Sequence, residues 1–133
     1  MTRINDKKGE INNFIKELQE VMPQDYEEYT TSTEKRLASE RAFEKIIEAT
    51  NDLAILIIKN QRIPLPTEDE KAFDILAKAN IISKKSALKL KQAKGMRNIL
   101  AHQYDNLDEE IIFEAIHDKI IHDVQKFIEE STE

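Results

Sequence analysis

"TSTEKRLASERAFEKIIEATNDLAILIIKN", residues 31–60, decides the architecture. Leu37, Phe43, Ile46, Ile47, Leu53, Ala54, Ile57 and Ile58 return at three- and four-residue intervals, which is the pattern of one apolar helix face sustained for about seven turns. Thr31 followed by Glu34 reads as a capping box at its start. Ala42 and Ala49 are small and allow close approach of a neighbouring helix. "NQRIPLPT", residues 60–67, ends the run, because Pro64 and Pro66 hold the chain extended.

Working outward, the spacing of Ile4, Ile11, Phe14 or Ile15, Leu18 and Val21 predicts a first helix over Asn5–Met22, closed by Pro23. Residues 23–30 read as a connection anchored to the bundle by Tyr26 and Tyr29. Beyond the prolines, Thr67 with Glu70 opens a short helix through Phe73, Ile75, Leu76 and Ala79. Ser83 caps the next, from Lys84 to Leu100 or Ala101, and Asn106 with Glu109 caps a last helix carrying Ile111, Ile112, Ala115, Ile116, Ile120, Val124, Phe127 and Ile128. The expectation is all-α, a four- to five-helix antiparallel bundle in a single domain over residues 1–133. Two glycines and three prolines in 133 residues leave too few turns for an all-β alternative.

With no cysteine, the chain has neither disulfides nor thiolate metal ligands. The opening "MTRINDKKGEINNF" lacks the apolar core of a secretory signal, and the longest apolar run, Leu53 to Ile58, is too short to span a membrane. A cytoplasmic protein with no membrane partner is expected. The net charge of −6 weighs against a dedicated nucleic-acid binder, yet residues 84–97, "KKSALKLKQAKGMR", contain no acid. Lys84, Lys85, Lys89, Lys91 and Lys94 are therefore candidate RNA contacts, although the same run also fits an ordinary solvated face. The apolar side of that helix is thin: Ala87, Leu88, Leu90, Met96, Ile99 and Leu100.

This basic run leads into "KGMRNILAHQYDNLDEE", residues 94–110, where Arg97, Asn98, His102 and Tyr104 crowd together. The combination suits a phosphodiester. Arg97 offers a permanently charged planar fork for phosphate oxygens. His102 exchanges a proton near neutral pH, either taking it from a 2′-hydroxyl or delivering it to a leaving oxygen. Asn98 can orient the imidazole or bond the substrate, and Tyr104 can donate to phosphate or stack on a base. On an unbroken helix His102 lies about 140° round from Arg97, so a helix ending near Ala101 would let His102 swing back or reach another subunit. Gly95, without a side chain, admits another helix or a ligand to the backbone. From spacing alone the trio also fits a surface patch closing a helix C-terminus, where cations are favoured. No metal is expected: His117 and His122 are five apart, without the i,i+4 geometry of a ligand pair.

"RNILAHQY", in its setting between "FDILAKANIISKKSALKLKQAKGMRN" and "YDNLDEEIIFEAI", resembles the Arg-Asn-x3-His-x-Tyr signature of the HepT-like proteins, small helical ribonucleases of the HEPN superfamily. Similarity extends back over "SERAFEKIIEATNDLAILII", and covers residues 4 to 130. Ala101 departs from the larger aliphatics frequent there. The resemblance implies a metal-independent endoribonuclease toxin of a toxin–antitoxin pair, without cofactor, in which Arg97 and His102 are catalytic and Asn98 supports them. It implies a homodimer whose motif helices meet in a composite cleft, and a minimal nucleotidyltransferase antitoxin that adenylylates Tyr104. The other reading of the same fold is a non-catalytic nucleotide- or protein-binding regulatory subunit of a nucleotidyltransferase complex.

Overall fold

The computed structural model describes residues 2–65, 67, 71–102 and 108–132, and among them every regular element is helical. α1 (Thr2–Val21) buries Ile4, Ile11, Ile15 and Leu18 against α3 (Thr33–Asn60). α3 is the central element. Its second half is buried on almost every side, with Ala49, Leu53, Ala54, Ile57 and Ile58 all packed away. Around it lie α1, α4 (Ala72–Lys78), α5 (Lys84–His102) and the last helical stretch. That stretch comprises α6 (Glu109–Glu114), a π turn (Ala115–Lys119) and α7 (Ile120–Ser131). None of these helices is long and apolar enough to cross a membrane.

The segment expected to be a connection contains a further helix, α2 (Tyr26–Thr31). Asp25 caps it by accepting from the Glu28 N–H at 2.8 Å, while the Glu28 carboxylate accepts from the Gln24 N–H at 2.8 Å. These two hydrogen bonds, one from the first turn to the Asp25 cap and one from the preceding residue to Glu28, stabilise a helix too short for apolar periodicity to reveal. Tyr29 does anchor it: fully buried beside Tyr26 and Phe113, its hydroxyl donates to the Glu40 carboxylate. Burial pushes the Tyr29 hydroxyl pKa up, and burial likewise raises that of Glu40.

α2 also moves the start of α3 by one residue. Thr31 belongs to α2 and donates its hydroxyl to the Glu27 carbonyl, so Ser32 caps α3 instead, accepting from the Lys35 N–H at 3.2 Å. At the far end Arg62, at φ 59°, closes α3, with Ile63 N–H reaching the Ile58 carbonyl at 3.1 Å. Asn80, at φ 61°, closes α4 the same way through Ile81 N–H and the Leu76 carbonyl. Both are left-handed helix stops with the 6→1 hydrogen bond that satisfies an orphan carbonyl.

Two expected caps need correction. Glu70, the partner assigned to Thr67, lies outside the described residues, and α4 begins at Ala72 behind Lys71, which supplies no side-chain cap. Asn106 also lies outside them, and Asp108 caps α6 by accepting from the Glu110 and Ile111 N–H groups. The π turn has a cause in the sequence. Ile112, Ile116, Ile120 and Val124 recur at strict four-residue steps, which drift off a 3.6-residue α-helix face. A single wider turn, marked by the Ile120 N–H donating to the Ala115 carbonyl, restores them all to the core.

Ser83 starts α5 as expected, accepting from the Ser86 N–H at 3.0 Å, and its own N–H donates to Glu130 of α7 at 3.1 Å. Ser83→Ala is expected to cost about 1 kcal/mol through loss of the cap. Urea unfolding should show a lower midpoint with an unchanged slope; an unchanged midpoint would remove the cap from the account.

Candidate functional site

α5 carries the Arg97–Asn98–His102 group, and its packing decides how these side chains are presented. Ser86, Ala87, Leu90 and Leu100 are buried against the bundle. Leu88 and Ile99, which the sequence reading assigned to the same packing side, are instead 56% and 38% exposed. The helix also runs one residue beyond its expected end, so that His102 is its last residue and is exposed.

Arg97 turns inward. One terminal nitrogen, Nη2, donates to Glu48 of α3, and Nη1 donates to the Asn98 Oδ1 at 3.0 Å. Its Nε is buried and has no hydrogen-bond partner among the described residues. A buried donor left unpaired costs about 1–3 kcal/mol, so the guanidinium is held in place without being fully satisfied. Asn98 is the link between two surfaces. It is bonded to Arg97 and lies four residues before His102, on neighbouring positions of one helix face.

Within one chain, about 140° of helix separates Arg97 from His102. The continued helix therefore rules out the swing of His102 about a turn at Ala101. Tyr104 lies outside the described residues. Glu48 is the functional neighbour that the sequence reading missed; forty-nine residues from Arg97, it sits among the many acids of α3 with no local signal to single it out.

Arg97, Lys94, Ile47, Glu48, Asn51 and Asp52 line a hollow of about 290 Å3 between α3 and α5. Lys94 donates to the Asn51 Oδ1 at 3.1 Å. The other lysines of the basic run do not share this hollow. Lys91 pairs with Asp74 of α4 at 2.9 Å, Lys89 approaches Asp123 of α7 at 3.6 Å, and Lys84 and Lys85 are exposed near the start of α5. His117 pairs with Asp118 and stacks against Phe113 at 4.9 Å, on the π turn.

This chain and its fold have counterparts among known proteins. The chain is 30% identical over 90 residues to "tRNA nuclease HepT" of Aphanizomenon flos-aquae, an alignment covering 68% of this chain and 61% of the relative. It is 29% identical over 86 residues to "mRNA nuclease HepT" of Shewanella oneidensis, covering 65% and 64%. These matches thus span somewhat less than two thirds of each relative's length. Among solved structures, the tri-AMPylated Shewanella oneidensis HEPN toxin in complex with MNT antitoxin superposes with a TM-score of 0.86 at 26% identity, covering 96% of this chain and 94% of that one. The ribonuclease HepT-like family matches residues 11–131, and the chain belongs to it.

Proposed function

We propose that this protein is the toxin subunit of a toxin–antitoxin pair and that it cleaves RNA without a metal ion. The observation that carries this reading is the Arg97 fork, fastened to Asn98 on one side and Glu48 on the other, at the end of a helix whose last residue is an exposed histidine. The nuclease names of the two relatives support it. In the proposed reaction a 2′-hydroxyl oxygen attacks the adjacent phosphorus, the bond to the 5′-oxygen breaks, and the guanidinium of Arg97 bonds the phosphate oxygens as charge builds on them. His102 exchanges the proton, at the attacking or the leaving oxygen.

The catalytic unit is a homodimer. Leu88, Gly95, Ile99 and His102 recur at seven-, four- and three-residue steps along one exposed stripe of α5. A Cβ built on Gly95 would meet nothing within 4 Å in its own chain. A mid-helix glycine costs about 1 kcal/mol relative to alanine, and close approach of a second α5 supplies a reason for it. Such a pairing sets the two His102 side chains at the seam, while each Arg97 stays on the side of its α5 that faces α3. Lys94 is the nearest further phosphate contact, whereas Lys89 and Lys91 face Asp123 and Asp74 and, with Lys84 and Lys85, lie outside the hollow.

The partner is a minimal nucleotidyltransferase that adenylylates Tyr104, a reading supported by the AMPylated state and MNT partner of the Shewanella structure. An attached AMP places bulk and negative charge two residues from His102 and repels RNA. Tyr104→Phe is expected to abolish AMP incorporation by the partner with ATP, read by intact-protein mass, and to leave cleavage unrestrained. Full modification of that variant would remove Tyr104 from the control mechanism. The broader reading is tested by incubating purified protein with RNA in excess chelator: scission is expected, and RNA or nucleotide binding without scission would favour the regulatory-subunit alternative.

A further inference from the structure

The hollow beside Arg97 does not end at α5. A second groove of about 330 Å3 is lined by Arg3, Lys7, Asn51, Asp52, Ile55, Leu56 and Lys59, and shares Asn51 and Asp52 with the first. The two adjoin at Asn51 and Asp52 of α3, the first bordered by α5 and the second by α1, and are taken together as one channel along α3. Its cations are Arg3, Lys7, Lys59, Lys94 and Arg97; its carboxylates are Glu48 and Asp52. A locally positive channel in a chain of net charge −6 is a concentration of charge against the average.

Not all of that charge is already committed. Glu48 is taken by Arg97, and Asp52 is approached by Lys7 at 3.6 Å, with Lys7 also bonded to Glu10 at 2.8 Å. Arg3 and Lys59 are exposed and make no ion pair with any described residue. From Glu48 to Lys59 the channel follows α3 for roughly 16 Å at the helical rise per residue, enough for several consecutive phosphates. Between the charges, Ile55 and Leu56 are only partly buried and give an apolar strip against which sugar or base can rest.

We infer that this channel is the RNA-tracking groove, with Arg3 of α1 and Lys59 of α3 as backbone-phosphate contacts that lead single-stranded RNA to Arg97. The inference rests on the ribonuclease reading but assigns the strand's path to α1 and α3, away from the outer lysines of α5. Such contacts are independent of sequence and act through counterion release, each steepening the salt dependence by about 0.7 for a single strand.

The test uses the full chain in a His102→Ala background, so that labelled single-stranded RNA binds without being cut, with fluorescence anisotropy read between about 50 and 200 mM salt. Arg3→Gln/Lys59→Gln is expected to weaken binding about tenfold near physiological salt and to flatten the log–log salt slope by about 1.4. Lys16→Gln/Lys119→Gln removes the same net charge outside the channel and is expected to change both far less. Equal effects of the two pairs, or none from the first, overturn the groove assignment while leaving the cleavage chemistry standing. If the parent binds no RNA at any salt, the ribonuclease reading falls and the groove with it. Arg3→Glu/Lys59→Glu provides a second series in which the loss should be larger; an undiminished affinity there also overturns the assignment.

Discussion

His102→Ala is expected to lower RNA cleavage by about 10²–10⁴-fold, the usual contribution of a positioned acid or base. His102 is exposed on the last turn of α5, so truncation opens no cavity, and alanine is at least as good a helix former. Far-UV circular dichroism and the urea midpoint should therefore stay close to those of the parent. Single-turnover cleavage in excess chelator provides the measurement, and retention of full activity by a folded variant would take the imidazole out of the reaction. Mixing chains gives a sharper version. A heterodimer of His102→Ala and Arg97→Ala protomers should recover one intact composite site if the two groups act across the dimer, and none if each chain supplies its own pair.

Arg97→Lys is expected to lose about 10²-fold or more in kcat/KM, although the charge is kept. Arg97 uses separate terminal nitrogens for Glu48 and Asn98. A lysine ammonium is a single point on a flexible stem and cannot hold both while offering a planar edge to phosphate. Stability should fall far less than activity, because the Arg97–Glu48 pair is part-exposed, 29% and 41% for the two side chains, and such pairs contribute little net. Comparing kcat/KM with the urea midpoint separates the two effects. A lysine variant with full activity would show that Arg97 serves only to tie α5 to α3.

The bearing of Glu48 follows from the same contacts. It fixes the guanidinium from the side opposite Asn98, and so aims the fork along the hollow between α3 and α5. Glu48 thus ties a cation of α5 to the central helix α3, which holds the guanidinium to a narrow range of positions.

Much of this was present in the sequence. The long apolar face of α3, the stop at residues 60–65, the Ser83 cap and the core positions of the last helix all depend on spacings of three or four residues, which one strand of sequence displays directly. The grouping of Arg97, Asn98 and His102 was equally visible, since a motif within one helix carries its own geometry. Short-range signals failed where two competed: Asp25 and Glu28 built an unexpected α2, and that helix claimed Thr31 and passed the α3 cap to Ser32.

Only the tertiary structure decided which face of α5 meets the bundle. With few apolar residues on that helix, its rotation is set by α3, α4 and α7, and this left Leu88 and Ile99 outside and turned Arg97 in. Packing likewise parted the α5 lysines, sending Lys91 to Asp74 and Lys89 to Asp123, and set the groove of Arg3 and Lys59 beside that of Arg97, the two meeting at Asn51 and Asp52. Periodicity and caps are properties of neighbours a turn apart, so a sequence displays them. A charge pair across forty-nine residues, or a groove between two helices, exists only once burial of the common core has fixed how those helices lie against one another.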